Sequence, residues 1–165
     1  PCIMAHCVHS GEAEQELMLK RGVYIAHSPE SNMNLASGVA PVNQFLDRGL
    51  HVGLATDVAG GSHESMLKAM MHAIQASKLR WRLLDQNVKP LSFERAFYLA
   101  TMGGGQFFGK VGSFLDGFEL DAVVLDDESL EHPQPLSPRA RLERMVYLAD
   151  ERNIAAKFVS GRKIL

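Results

Sequence analysis

Cysteine is nearly missing. Cys2 and Cys7 are the only two in 165 residues, and they form no C-x-x-C pair. That excludes a disulfide framework and fits a reducing, cytoplasmic setting. Excess positive charge is missing too. The formal net charge is −2 and no basic tract exists, so nucleic acid is not an expected partner. No apolar run approaches ~18 residues, so no membrane-spanning helix is expected. No basic segment leads into an apolar run, so the residues contain no secretory-signal pattern. What remains is globular: 46% hydrophobic, 22% charged, and long enough for one ordinary domain.

Against that background one segment stands out. His51-Val-Gly-Leu-Ala-Thr-Asp57 is an apolar run ending in a carboxylate, followed at once by Val58-Ala-Gly60-Gly61. A run this apolar reads as a strand covered on both faces. The glycines let the backbone turn tightly and approach whatever the carboxylate holds. The construction occurs twice upstream. Cys2-Ile-Met-Ala-His6 and Val23-Tyr-Ile-Ala-His27 each end in histidine. In a (β/α)8 barrel, polar side chains at strand C-termini build the active site.

Helical signals separate these runs. Ser10 reads as an N-cap, with Glu12 and Glu14 in a favourable first turn and Gly22 as the stop. Residues 28–41 read as a loop and 42–48 as a short helix. Ser62 reads as the cap of a helix over 63–80, whose Met66, Met70 and Ile74 form one apolar stripe. Ser92 opens a helix to Met102, Gly103 to Gly105 interrupt it, and a short continuation runs through Phe108. Alternating strands and helices predict a parallel α/β architecture. After Gly112 the pattern changes: 120–125 is a β-branched run, 155–159 and 163–165 flank Ser160-Gly161-Arg162 as a hairpin, and a helix over 139–149 lies between.

Each candidate has an ordinary reading. An aspartate before Gly-Gly is commonly a turn residue, but two histidine-ended strands upstream favour a site. His6 taken alone reads as a satisfied histidine more readily than as a ligand, and His9 three residues on adds only a little to the site reading. His27-Ser28-Pro29 reads equally well as a turn, and the Met stripe is core. His51, His63, His72 and His132 have no sequence neighbours to form a constellation and read as surface or structural, with the role of His63 open because it adjoins Gly60-Gly61.

The chemistry explains why His6 and Asp57 belong together. A hydrolytic metal site needs an open position for water, and a divalent metal makes hydroxide accessible near neutral pH. Asp57 can ligate the metal and accept the water's proton. His6 can orient the attacking oxygen. Two residues do not hold a zinc ion, and the chain offers no H-x-H pair to complete the set.

The motifs Met4-Ala-His6-Cys-Val-His9, Ile25-Ala-His27-Ser-Pro29-Glu-Ser31-Asn32 and Thr56-Asp57-Val-Ala-Gly-Gly61 resemble the amidohydrolase superfamily, and within it the guanine deaminase family. Tyr98-Leu-Ala-Thr101-Met-Gly-Gly104, Gly112-Ser-Phe-Leu-Asp-Gly117 and Val159-Ser-Gly161-Arg162 extend the likeness along the whole chain. The resemblance implies α/β architecture: the last three βα units of a TIM barrel in residues 1–110, and the C-terminal part of a small β-sandwich in 111–165. It implies hydrolysis of guanine to xanthine and ammonia. Asp57 takes the part of the strand-eight metal ligand and proton acceptor, and His6 that of the strand-six histidine orienting water. It implies zinc, or iron in its place, and a homodimer when the protein is complete. The other metal ligands, a glutamate proton shuttle and a purine-reading arginine are implied upstream of this chain. Ser28, Glu30 and Ser62-His63-Glu64 depart from the common pattern, which bears on substrate preference. A triazine or oxidised purine is the alternative substrate, and an inert structural fragment the alternative outside enzymes. Pro1 standing directly before a buried-looking strand reads as the C-terminal part of a longer protein. Its missing N-terminal half is then the expected partner, and the outer strands present unpaired edges at Ile3-Met4 and Val52-Gly53-Leu54.

Overall fold

Three short parallel strands organise the first part of the molecule. They are β1 (Ile3–Ala5), β2 (Tyr24–His27) and β3 (His51–Leu54), paired in that order. Ile3 lies opposite Tyr24, and Tyr24 opposite His51. The C-terminal ends of the strands therefore emerge along one edge of the sheet. The structure, a computed structural model, describes residues 1–165.

Parallel pairing requires crossovers. The first is α1 (Glu12–Arg21). The second holds two short helices, α2 (Pro29–Asn34) and α3 (Val42–Asp47). The N-cap of α1 is Gly11 and not Ser10, and the Gly11 amide donates to the Glu14 carboxylate at 3.0 Å. Gly22 ends the helix as expected, at φ 61°. The helix α2 falls inside a stretch that reads as loop in the sequence. Pro29 opens it, with its ring already set at a helical φ.

The long helix α4 (Met66–Leu83) starts three residues later than its sequence suggests. Its cap is Ser65, whose hydroxyl accepts from the Lys68 amide, and not Ser62. The expected stripe is buried at Met70 and Ile74, joined by Ala69 and Ala73. Next comes α5 (Phe93–Tyr98), capped by Ser92, which widens into a π-helical turn over Leu99–Gly103. This turn packs against β3. A side chain at Gly53 would meet the Gly104 Cα at 2.8 Å, so the two glycines allow the backbones to touch. Val52 points to the opposite face of the strand and is fully buried in the core, as a strand covered on both faces should be, while β3 pairs with β2 alone and keeps the unpaired outer edge its sequence suggests. Ile3 and Met4 on β1 do remain exposed.

Ile25, Phe45, Leu50, Val52, Met70, Ile74, Leu91 and Leu99 form one buried cluster beneath the sheet. Burial of side chains of this size stabilises by about 1.5–3 kcal/mol each. The second sheet is antiparallel: β4 (Ala122–Leu125), β5 (Ile154–Val159) and β6 (Arg162–Lys163). The β5–β6 turn has Ser160 at φ 47° and Gly161 at φ 75°, the two positive values a tight hairpin needs. Between β4 and β5, α6 (Pro138–Leu148) packs on α4, and its Val146 joins the main core. No helix is long and apolar enough to cross a membrane.

Candidate active site

The strand ends bring His6 and Asp57 together. His6 follows β1, and its amide still donates to the Ala26 carbonyl of β2 at 2.9 Å. Asp57 lies three residues past β3, after Ala55 has bonded the His27 carbonyl at 2.9 Å. The backbone at each residue then turns into the left-handed region, with φ 65° at His6 and 54° at Asp57. Cys7, at φ 51°, extends the turn after His6. Non-glycine residues hold such angles at a cost of about 1–3 kcal/mol each, and they concentrate where function sets the geometry.

His6 Nε2 stands 3.7 Å from Asp57 Oδ2. That is too long for a direct hydrogen bond, yet one oxygen atom at ~2.8 Å can reach both. The two side chains are 39% and 42% exposed, so water and a ligand have access. Asn32, fully buried on α2, fixes the ring. Its side-chain carbonyl lies 2.8 Å from His6 Nδ1. A carbonyl only accepts, so Nδ1 donates to it and Nε2 is left facing Asp57. Cys7, Val8, His9, Ser10, Glu14 and Ser37 line the cleft beside His6.

The loop after Asp57 folds back on α2. A side chain at Gly60 would lie 2.6 Å from Ser31 Oγ and 3.0 Å from Asp57 Oδ2. Glycine therefore lets this loop lie against the carboxylate. Asn34 Nδ2 donates to the Gly60 carbonyl at 3.0 Å. The Ser62 amide donates to Glu30 Oε2 at 3.1 Å, and its hydroxyl donates to Oε1.

His27 ends β2 and is buried there. It is 2% exposed and neither ring nitrogen has a hydrogen bond. Burial first, and the neighbouring His6 second, lower its pKa to about 4, so the ring is neutral at ordinary pH. His51 is structural, stacked on Tyr24 at 4.6 Å, and His132 bonds the Gln134 backbone. His63 and His72 depart from the sequence reading. They gather around Glu30, with all three ligand atoms within 4.8 Å of one another. No spacing signals this group, because α2, the Asp57 loop and α4 contribute one residue each. Asn32 likewise carries no spacing signal.

The geometry fits part of a metal shell. Asp57 supplies an exposed carboxylate that accepts no hydrogen bond, beside the Nε2 of His6. Four-coordinate zinc requires more donors than this pair.

Comparison with known proteins places the chain among similar ones. Guanine deaminase of Dictyostelium discoideum is 34% identical, with 98% of this chain aligned to 37% of that protein. The chain therefore spans well under half the length of that relative. The crystal structure of a guanine deaminase from C. acetobutylicum, with bound guanine in the active site, superposes at TM-score 0.94 and 44% identity. It covers 100% of this chain and 39% of that one. An adenosine deaminase from Xanthomonas campestris with bound zinc superposes at 0.83 and 27% identity, over 99% of this chain and 36% of that one. The pattern that defines the Amidohydrolase family runs over residues 1–164, from β1 to the last hairpin, and the chain belongs to that family.

Proposed function

We propose that the complete protein hydrolyses guanine to xanthine and ammonia at a site built on His6 and Asp57, with zinc bound, or iron in its place. The observation that carries this reading is the 3.7 Å pairing of His6 with Asp57 at the ends of parallel strands. The likeness to a guanine deaminase that holds guanine in its active site supports the substrate. In this reading the three βα units close a TIM barrel as its last three strands. Residues 1–110 belong to that barrel and 111–165 to a small β-sandwich. The N-terminal half supplies the remaining strands and the other metal ligands. The protein is cytoplasmic and acts as a homodimer.

Asp57 would hold the metal through its carboxylate. A bound divalent ion supplies acidification of a water molecule. Asp57 Oδ2 can take a proton from the attacking water and return it to the amino nitrogen, which leaves as ammonia. His6 Nε2, aimed by Asn32, accepts a hydrogen bond from the attacking water and fixes its direction. His6 can also donate, once protonated, to the negative charge that develops on the purine. Gly60 and Gly61 keep the loop low enough that the carboxylate remains open to the cleft.

Incubation of the complete protein with guanine, with quantification of xanthine and ammonia, tests the reading. Equimolar release is expected. Turnover of adenosine or a triazine in its place would move the assignment to another aminoheterocycle. The zinc-containing adenosine deaminase relative is the observation that favours this second reading.

A further inference from the structure

We propose that Glu30, His63 and His72 form a separate cation site that takes a divalent transition-metal ion of the zinc type. Three elements meet there: Glu30 from α2, His63 from the loop after Asp57, and His72 from α4. Glu30 Oε2 lies 3.1 Å from His63 Nε2 and 3.9 Å from His72 Nδ1. The two imidazoles stack with centroids 5.3 Å apart. Donor atoms sharing a four-coordinate ion with bonds of ~2.0–2.1 Å stand ~3.3 Å apart. The first contact is already at that separation, and small side-chain rotations close the others.

The unpaired atoms point the same way. Both ring nitrogens of His63 and Nδ1 of His72 are buried and make no hydrogen bond. The short approach of His63 to Glu30 is misaligned for N–H donation, although its distance would allow it. Buried polar atoms are nearly always paired. One cation satisfies both imidazoles and the carboxylate together. The Ser62 amide and hydroxyl already orient the Glu30 carboxylate, as the outer partners of metal ligands commonly do. Burial would raise the Glu30 carboxyl, but the Ser62 bonds and the two histidines outweigh it and hold the group below the usual carboxylate range. Burial also lowers His72, against the pull of Glu30, which keeps a lone pair free. Two imidazoles with one carboxylate select zinc-like ions over magnesium or calcium, which prefer oxygen donors throughout. An ion here would staple α2 and α4 to the loop that carries Asp57.

The complete protein, stripped with a chelator, reloaded with zinc and freed of excess, is assayed by mass spectrometry for metal per chain. Wild type is expected to retain one more zinc than His63→Ala/His72→Ala. Asp57→Ala is expected to retain the zinc that the double variant loses. The two losses are separate, so failure of the proposed reaction site and failure of this site are distinguishable. Equal zinc in wild type and in a cooperatively folding double variant overturns the proposal. Diffraction from wild-type crystals grown with zinc, recorded on both sides of the zinc edge, decides the matter without any variant. A peak ~2.0–2.2 Å from Glu30 Oε2, His63 Nε2 and His72 Nδ1 is expected. No peak among these three atoms overturns the proposal.

Discussion

Replacing Asn32 with alanine separates the positioning of His6 from its chemistry. Asn32 is 1% exposed and touches the cleft only through its 2.8 Å contact with His6 Nδ1. The folding cost is small. One net hydrogen bond is worth about 1 kcal/mol, and the half-exposed His6 ring can recruit water in its place. The functional cost is larger, because the ring loses both its tautomer and its direction. Loss of a partner of this kind commonly lowers activity by about 10–100-fold, or about 1.4–2.7 kcal/mol of barrier. The loss should fall on kcat, with KM little changed, in steady-state guanine turnover by the complete protein. Asn32→Asp keeps an acceptor at Nδ1 and should recover much of the rate. A kcat for Asn32→Ala within about twofold of wild type would refute the positioning argument.

Three further outcomes can be checked. His27 has a folded pKa of about 4 against 6.5 when unfolded. The unfolded state therefore binds more protons between these values. Stability should be complete above pH ~6.5 and fall by about 3 kcal/mol as the pH drops to ~4, and denaturant titrations of His27→Gln should show a flatter dependence across that window. Gly53→Ala places a carbon 2.8 Å from the Gly104 Cα, and overpacking against backbone should lower stability by about 1–3 kcal/mol in urea unfolding. Residues 1–165 alone should be catalytically inert and self-associate through the exposed β1 edge at Ile3 and Met4, and a monodisperse, cooperatively unfolding monomer in light scattering would contradict this.

The strands were legible because their apolar runs end abruptly in polar residues, and the same property gave His6, His27 and Asp57 as strand ends. Gly22 and the Ser160-Gly161 turn were legible because positive φ restricts residue choice. The helix α2 was not, since six residues rich in Ser and Asn carry no apolar period, and only Pro29 marks its start. Ser62 was mistaken for a cap because it is a good one in isolation, but tertiary contact gives its hydroxyl to Glu30. The burial of β3 is legible in its apolar run, but the π-helical turn that packs on it is not, because that contact depends on a glycine pair about fifty residues apart. The Glu30, His63 and His72 group and the Asn32 support arise only when separate elements meet, so one-dimensional spacing does not reveal them.

Asp57 carries the central claim, and guanine turnover by the complete protein bearing Asp57→Asn tests it most directly. The substitution keeps the side-chain shape but removes the charge that holds a metal and accepts a proton. Turnover about a thousand-fold or more below wild type is expected, with the fold intact by circular dichroism. Xanthine release at a near-wild-type rate would contradict the account.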